Sequence, residues 1–279
     1  MQKTGIEYLT HVWNFYTGCK HYETGVCPVS EKCWARSMAN RFGHSFEPTL
    51  HPEKLLDPLS LKKPARIGVC FTGDLFGDWV QPDEQLLITQ DDNPAYAHCS
   101  LRWLVKDILT RRPQHQFFFL TKAPQNYKKW GAFPDNAYCG ITVCSNGMMT
   151  KALTAQIDAK HKWLSFEPLM GSIGMSDHNT KLFRLFDWVV IGGWSGGKTP
   201  PKIEWVQEII EACDKAGIPV FLKDNLKPFL PKERPYYTKP CADIKGKDPC
   251  LQEPCKTLNN IEKCSKAPNY LKLRQELPK

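Results

Sequence analysis

The stretch Asp187-Trp188-Val189-Val190-Ile191-Gly192-Gly193, followed by Trp205-Val206-Gln207-Glu208-Ile209-Ile210-Glu211-Ala212-Cys213 and Pro219-Val220-Phe221-Leu222, decides the reading of the fold. Its first part is a continuous apolar, β-branched run that stops at two glycines, as a strand buried on both faces does. In the second part apolar residues recur at i, i+1, i+4, i+5 and i+8 with acids opposite. That pattern gives one apolar helical face over 203–216, and Gly217 with Pro219 ends the helix. The third part is a short strand again. Strand, helix and strand in succession form a parallel βαβ unit.

The same alternation extends outward in both directions. Further strands are expected at His11–Tyr16, Ile67–Thr72, Gln116–Thr121, Ala137–Val143 and Lys162–Phe166, and the first quoted run and the third give Trp188–Gly192 and Pro219–Leu222. Helices are expected at Cys33–Phe42, Leu101–Arg111 and Asn146–Ala159 as well as Ile203–Ala216. This is the α/β class, and it suits a parallel β/α barrel, complete or partial, better than a sandwich. A doubly wound open sheet has the same linear pattern. The turns after the strands carry the polar vocabulary: Thr72-Gly73-Asp74, Lys122, Cys144-Ser145-Asn146, Glu167-Pro168, Gly192-Gly193-Trp194-Ser195 and Lys223-Asp224-Asn225. In a parallel barrel these turns meet on one face, where active sites are built, so an enzyme is favoured over a scaffold.

Composition sets the outer limits. The chain has 279 residues, 42% of them apolar and 24% charged, an ordinary balance for a folded protein. No run approaches the length of a membrane span, and Met1-Gln2-Lys3-Thr4-Gly5 lacks a secretory signal, so a cytoplasmic protein without a membrane partner is expected. The net charge of +8 suggests a nucleic-acid partner, and the 12 cysteines suggest metal or disulfides, metal being favoured where no secretory signal is seen. Residues 227–279 hold ten Lys and two Arg against six acids, together with four of the cysteines and eight of the 22 prolines. A boundary is therefore placed between a near-neutral unit, 1–226, and a basic, Pro-rich extension, 227–279, which needs an external staple.

The cysteines divide into two groups. Cys19, Cys27 and Cys33 follow the first strand as C-x7-C-x5-C and lead into a helix at Trp34-Ala35-Arg36. Three thiolates can hold a [4Fe–4S] cluster and leave one iron open for a second molecule. With His21 as fourth ligand they can hold zinc, and unligated thiols are the plain alternative. Cys241, Cys250, Cys255 and Cys264 read C-x8-C-x4-C-x8-C. Four ligands close a zinc site or cap a cubane cluster, which points to structure or electron transfer. Unligated or disulfide-linked thiols are again the alternative.

Several motifs in order resemble a known family. Trp13-Asn14-Phe15-Tyr16-Thr17-Gly18-Cys19, Cys33-Trp34-Ala35, Thr72-Gly73-Asp74-Leu75-Phe76-Gly77, Leu120-Thr121-Lys122-Ala123-Pro124, Leu164-Ser165-Phe166-Glu167-Pro168-Leu169 and the 187–196 stretch carry the likeness. They are similar to a phage-associated, radical-SAM-like family of unknown function that is distantly similar to spore photoproduct lyase. The resemblance covers residues 4–225. It implies a β/α barrel whose three-Cys [4Fe–4S] cluster binds S-adenosylmethionine and, once reduced, cleaves it to a 5′-deoxyadenosyl radical that abstracts hydrogen from a substrate. By the same resemblance the Thr72, Gly73 and Asp74 turn holds the methionine amino group, with Asp74 accepting its hydrogen bonds; a turn that caps the next segment is the plain alternative. The Cys spacing is longer than the C-x3-C-x2-C of the wider superfamily, and Trp194 stands where the family has Glu.

Other residues are weighed on position. Lys122 can bind a carboxylate or phosphate, or be an ordinary surface lysine. Glu167, at a strand end, is expected to face a ligand. Gly192-Gly193 and Gly196-Gly197 resemble a nucleotide-approaching loop, though not G-x-G-x-x-G, and Gly192, Gly193 and Ser195 are the cofactor-binding candidates there. Cys144 can return a hydrogen atom to a product radical, whereas Cys70, Cys99, Cys139 and Cys213 read as core. The expected partners are a flavodoxin- or ferredoxin-like reductant and a substrate that is a nucleic acid or nucleotide, or a peptide or small metabolite. A non-catalytic zinc or iron–sulfur module that docks on nucleic acid is the rival reading.

Overall fold

The structure is a computed structural model, and it describes residues 1–87, 98–174, 183–194, 200–229 and 274–278. The main sheet has eight strands: β1 (Gln2–Lys3), β2 (His11–Trp13), β3 (Arg66–Val69), β4 (Gln116–Thr121), β5 (Ala137–Thr142), β6 (His161–Phe166), β7 (Trp188–Ile191) and β8 (Val220–Leu222). Each strand pairs with the next in sequence. β1 and β2 are antiparallel and all later pairs are parallel. The chain thus winds in one direction around the sheet, which removes the doubly wound alternative. Among the described residues no ladder joins β8 to β1 or β2.

The sheet is strongly curved. Phe118 on β4 and Trp188 on β7 lie three strands apart, roughly 14 Å in a flat sheet, yet their ring centroids are 5.8 Å apart. Tyr8 fills the hollow, with rings from β4, β6, β7 and β8 within 6.4 Å of its own. Residues on the opposite parity, including Phe117, Phe119, Ile141, Leu164, Phe166, Val189 and Ile191, form the larger core on the convex face. The Phe117-Phe118-Phe119 run is accordingly buried on both faces.

Helices α1 (Trp34–Arg41), α2 (Leu101–Arg111), α3 (Asn146–Thr154) and α4 (Ile203–Ala216) fall where the periodicity places them. α4 buries Val206, Ile209, Ile210 and Cys213 and stops at Gly217, whose φ of 73° closes the last turn. α2 starts at Ser100, whose hydroxyl accepts the Trp103 amide proton. Cys70, Cys99, Cys139 and Cys213 are buried, as a core reading requires.

Three boundaries differ from expectation for identifiable reasons. The strand over 67–72 stops at Val69, because Cys70 adopts φ 57° and turns the chain outward. The strand over 11–16 stops at Trp13; Tyr16–Thr17 instead makes a separate ladder with Thr49–Leu50. The helix over 146–159 stops at Thr154, and the extended segment beyond it offers the Asp158 carbonyl to the Phe133 amide at 2.8 Å.

Residues 274–278, within the expected extension, lie along the free edge of β8. The Leu222 amide donates to the Arg274 carbonyl and the Glu276 amide to the Val220 carbonyl, while Trp188 Nε1 donates to the Glu276 carbonyl at 2.7 Å. Among the described residues no helix is long and apolar enough to cross a membrane.

Close packing inside the curve supplies a first test. A Cβ on Gly140 would stand 2.3 Å from the Trp163 indole and 2.7 Å from the Phe119 carbonyl oxygen. Gly140→Val is therefore expected to cost about 1–3 kcal/mol through overpacking, read from the urea midpoint, with no loss of secondary structure by circular dichroism.

Candidate functional site at the strand ends

Side chains on a strand alternate between faces, so residues two apart share one. On the concave face the rows run Phe118-Leu120-Lys122, Tyr138-Gly140-Thr142-Cys144, Trp163-Ser165-Glu167, Trp188-Val190-Gly192 and Phe221-Lys223. The first members of each row pack with Tyr8 and Leu9 into one apolar cluster. The last members are a lysine, a thiol, a carboxylate, a glycine and a second lysine. An apolar floor thus changes to a polar mouth at the carboxyl ends of the strands.

Asp74 is the most heavily bonded group there. It is 5% exposed. One oxygen accepts from His21 Nε2 at 2.7 Å, Thr121 Oγ1 at 2.9 Å and the Lys122 amide at 3.0 Å. The other accepts from the Phe76 amide at 2.9 Å. Burial alone would push this carboxyl up, but the His21 hydrogen bond and charge, with the Lys122 amide and Thr121 hydroxyl, hold it below the ordinary carboxylate value. With both oxygens engaged, Asp74 ties the cysteine loop to β3 and β4. Gly73 sits where a Cβ would strike the Gly18 carbonyl oxygen at 2.5 Å, so the two turns meet backbone to backbone. Thr72 Oγ1 is buried without a hydrogen-bond partner.

The loop after β2 brings thiols to the mouth. Cys19, Cys27 and Cys33 are unpaired and partly exposed, and the Cys19 sulfur accepts the His21 amide. Burial pushes the Cys19 thiol up to about 12 and the Cys144 thiol up to about 11, Lys122 opposing both shifts. Burial would lower the Lys122 ammonium, yet Cys144, Cys27, Asp74 and Cys19 together hold it above the ordinary lysine value. Four of the expected site residues (Cys19, Cys27, Asp74 and Cys144) thus act on the Lys122 ammonium, which has no carboxylate ion pair among the described residues. Lys122 is part-exposed at the mouth. Cys33 stands apart from this group, at the N-cap of α1.

Across the mouth, Glu167 Oε1 pairs with Lys223 Nζ at 2.5 Å, and Glu7 lies 3.9 Å from the same ammonium. Gly192 lies beneath this pair, its missing side chain leaving room for Lys223 Cδ and Glu167 Cδ. The Asn225 side chain clasps Gly193 through both its oxygen and its nitrogen, at 3.0 and 2.8 Å. Lys32, in the cysteine loop, lies over the Trp194 ring at 5.5 Å, so the loop reaches across to the turn after β7.

Among the described residues no three His, Cys, Asp or Glu side chains converge as a metal-holding group. His21, considered as a zinc ligand, has its Nε2 committed to Asp74. The donor chemistry nevertheless fits an iron–sulfur cluster: three free thiols on one short loop, with the part-buried Lys122 ammonium near two of them to offset thiolate charge. Ser195 and the four extension cysteines, Cys241, Cys250, Cys255 and Cys264, lie outside the described residues. Sequence reading missed Thr121, Glu7, Lys223 as the Glu167 partner, and Ser165, whose buried hydroxyl has no partner. Counting in twos from Trp163 and Phe221 finds Ser165 and Lys223; no local signal finds Glu7.

Fold and site together define an α/β protein with a sequentially wound, mostly parallel sheet and a polar, thiol-bearing site at its strand ends. The chain matches over residues 3–233 the family described as protein of unknown function (DUF5131), and it belongs to that family. No curated protein and no solved structure matches it.

Proposed function

We propose that the protein is a radical S-adenosylmethionine enzyme built on a partial β/α barrel. The observation that carries this reading is the meeting of the Cys19–Cys33 loop with Lys122, Cys144 and Asp74 at the strand ends. Cys19, Cys27 and Cys33 would hold a [4Fe–4S] cluster, which supplies reductive cleavage of the sulfonium of S-adenosylmethionine when bound. The Lys122 ammonium would offset part of the negative charge that the Cys19 and Cys27 thiolates bring to the mouth. Asp74 fixes the loop and the Thr72-Gly73 turn against one another, so the cofactor's surroundings are rigid before substrate arrives. Glu167 and Lys223 offer one acceptor and one donor to the polar ends of a ligand lying over Gly192 and Gly193. Cys144, buried beside Lys122 and Cys27, holds a hydrogen atom within the same mouth.

The substrate class is a nucleotide or nucleic acid, or a peptide or small metabolite, and the reductant is a flavodoxin- or ferredoxin-like protein. The extension's four cysteines add a second cluster or zinc. Anaerobically purified protein is expected to be brown, to carry about four irons per cluster, and to release 5′-deoxyadenosine from S-adenosylmethionine after reduction. Colourless protein with stoichiometric zinc and no cleavage would sink the reading and leave the zinc-module alternative.

A further inference from the structure

Helix α1 is packed inside out. Its small residues face the protein, Ala35 being 8% exposed and Ala39 half-buried, whereas Trp34, Met38 and Phe42 are 49%, 45% and 62% exposed. These three recur at i, i+4 and i+8, so they form one stripe along the helix. A helix that served packing alone would bury the large residues and expose the small ones. Instead the stripe offers water a contiguous apolar strip that begins one residue after Cys33.

Within segment 32–46 the charge is of one sign, with Glu31 and Glu47 at its borders. From Lys32 to Phe46 the chain carries Lys32, Arg36, Arg41 and His44 and not one carboxylate. Arg36 is held in place by the Ser30 carbonyl at 2.6 Å and by the Tyr22 ring at 4.3 Å. Of the acids that flank the segment, Glu47 is paired with Lys20 at 3.0 Å. Three part-exposed side chains present on the order of 300 Å². That is too small for a stable dimer and matches the small interfaces of transient electron-transfer encounters.

Building on the proposed function, we propose that the Trp34-Met38-Phe42 face of α1 is the docking site of the reductant, a small acidic electron-transfer protein. Its acidic rim meets Arg36 and Arg41, its apolar centre covers the stripe, and its redox group comes to rest beside Cys33. One electron leaves the reduced carrier, which is oxidised by that one electron, and passes to the cluster, which is reduced by it.

Flavodoxin with NADPH and its reductase is the probe, and dithionite is the bypass. Met38→Glu, which puts an acid on the basic face without touching a thiol, is expected to lower flavodoxin-driven 5′-deoxyadenosine formation about tenfold or more. Its binding of flavodoxin by isothermal titration calorimetry should weaken in parallel, wild-type binding should weaken with salt, and dithionite-driven turnover should stay at the wild-type rate. Unchanged flavodoxin binding, or an equal loss with dithionite, overturns the proposal. So does a wild-type dimer in sedimentation that Met38→Glu dissociates, because a second copy would then own the face. The calorimetry requires no turnover: wild-type protein that binds flavodoxin at α1 but fails with dithionite condemns the enzymatic reading, not the docking site.

Discussion

Cys19→Ala is expected to reduce cleavage of S-adenosylmethionine to background and to remove the iron bound by the 19–33 loop, with a nearly unchanged urea midpoint. Among the described residues the sulfur accepts one hydrogen bond, from the His21 amide, so little folding energy rests on it. Neither neighbour replaces a loop thiolate in kind: His21 holds Asp74 through Nε2 at 2.7 Å and has only Nδ1 to offer, and Cys144 is buried at a different strand end. Cys250→Ala should spare this iron if the extension's thiols, set more than 200 residues further along the sequence, serve a site of their own. Iron analysis with product chromatography checks both variants. Persistent cleavage by Cys19→Ala refutes the role of that thiol, and loss of all iron in Cys250→Ala would argue for one shared site.

Asp74→Ala is expected to cost about 3–5 kcal/mol, since it leaves buried donors with no acceptor. Asn should not rescue it. An amide has one accepting oxygen, so whichever way it is placed its nitrogen faces a donor, either the Phe76 amide or the group formed by His21, Thr121 and the Lys122 amide. The pH dependence has a definite sign. Asp74 titrates lower in the folded protein than its ordinary value of 3.8, so its contribution is present above that value. It is lost as pH falls below 3.8 toward the lowered folded value. Urea unfolding of wild type should therefore lose stability on entering that acidic window, and Asp74→Ala should lose less. Equal acid sensitivity in the two proteins would deny Asp74 this role.

The alternation of strands and helices was readable because each main strand is a short apolar run between turn residues, and because α2 and α4 have clean apolar faces. Boundaries were less readable where a distant partner sets them. Nothing within 67–72 announces that Cys70 leaves the strand, and nothing within 146–159 announces that Asp158 is bonded to Phe133. The site divides in the same way. Lys122, Glu167 and Gly192 could be found because each closes a strand, and a strand's end in a parallel sheet has a known address. Asp74 was found as a residue but not as a hub, for its partners are His21, 53 positions before it, and Thr121, 47 after. The barrel reading anticipates a curved sheet but not what fills its hollow, Tyr8, whose ring meets rings on four strands.

The strip at 274–278 changes how the basic extension should be regarded. The chain leaves β8 at Leu222 and is bound to that strand again at Arg274, where Gln275 also reaches Asp224 at 2.8 Å. What composition marks as a tail is, by connectivity, a loop closed at both ends. Loop closure grows only logarithmically with length, each doubling costing about 0.6 kcal/mol. The sheet therefore tolerates great variation in what is inserted there, and the family match ends at residue 233, just inside the insertion. Replacing what lies between Leu222 and Arg274 is therefore expected to leave the sheet intact, provided that 274–278 still reach the edge of β8.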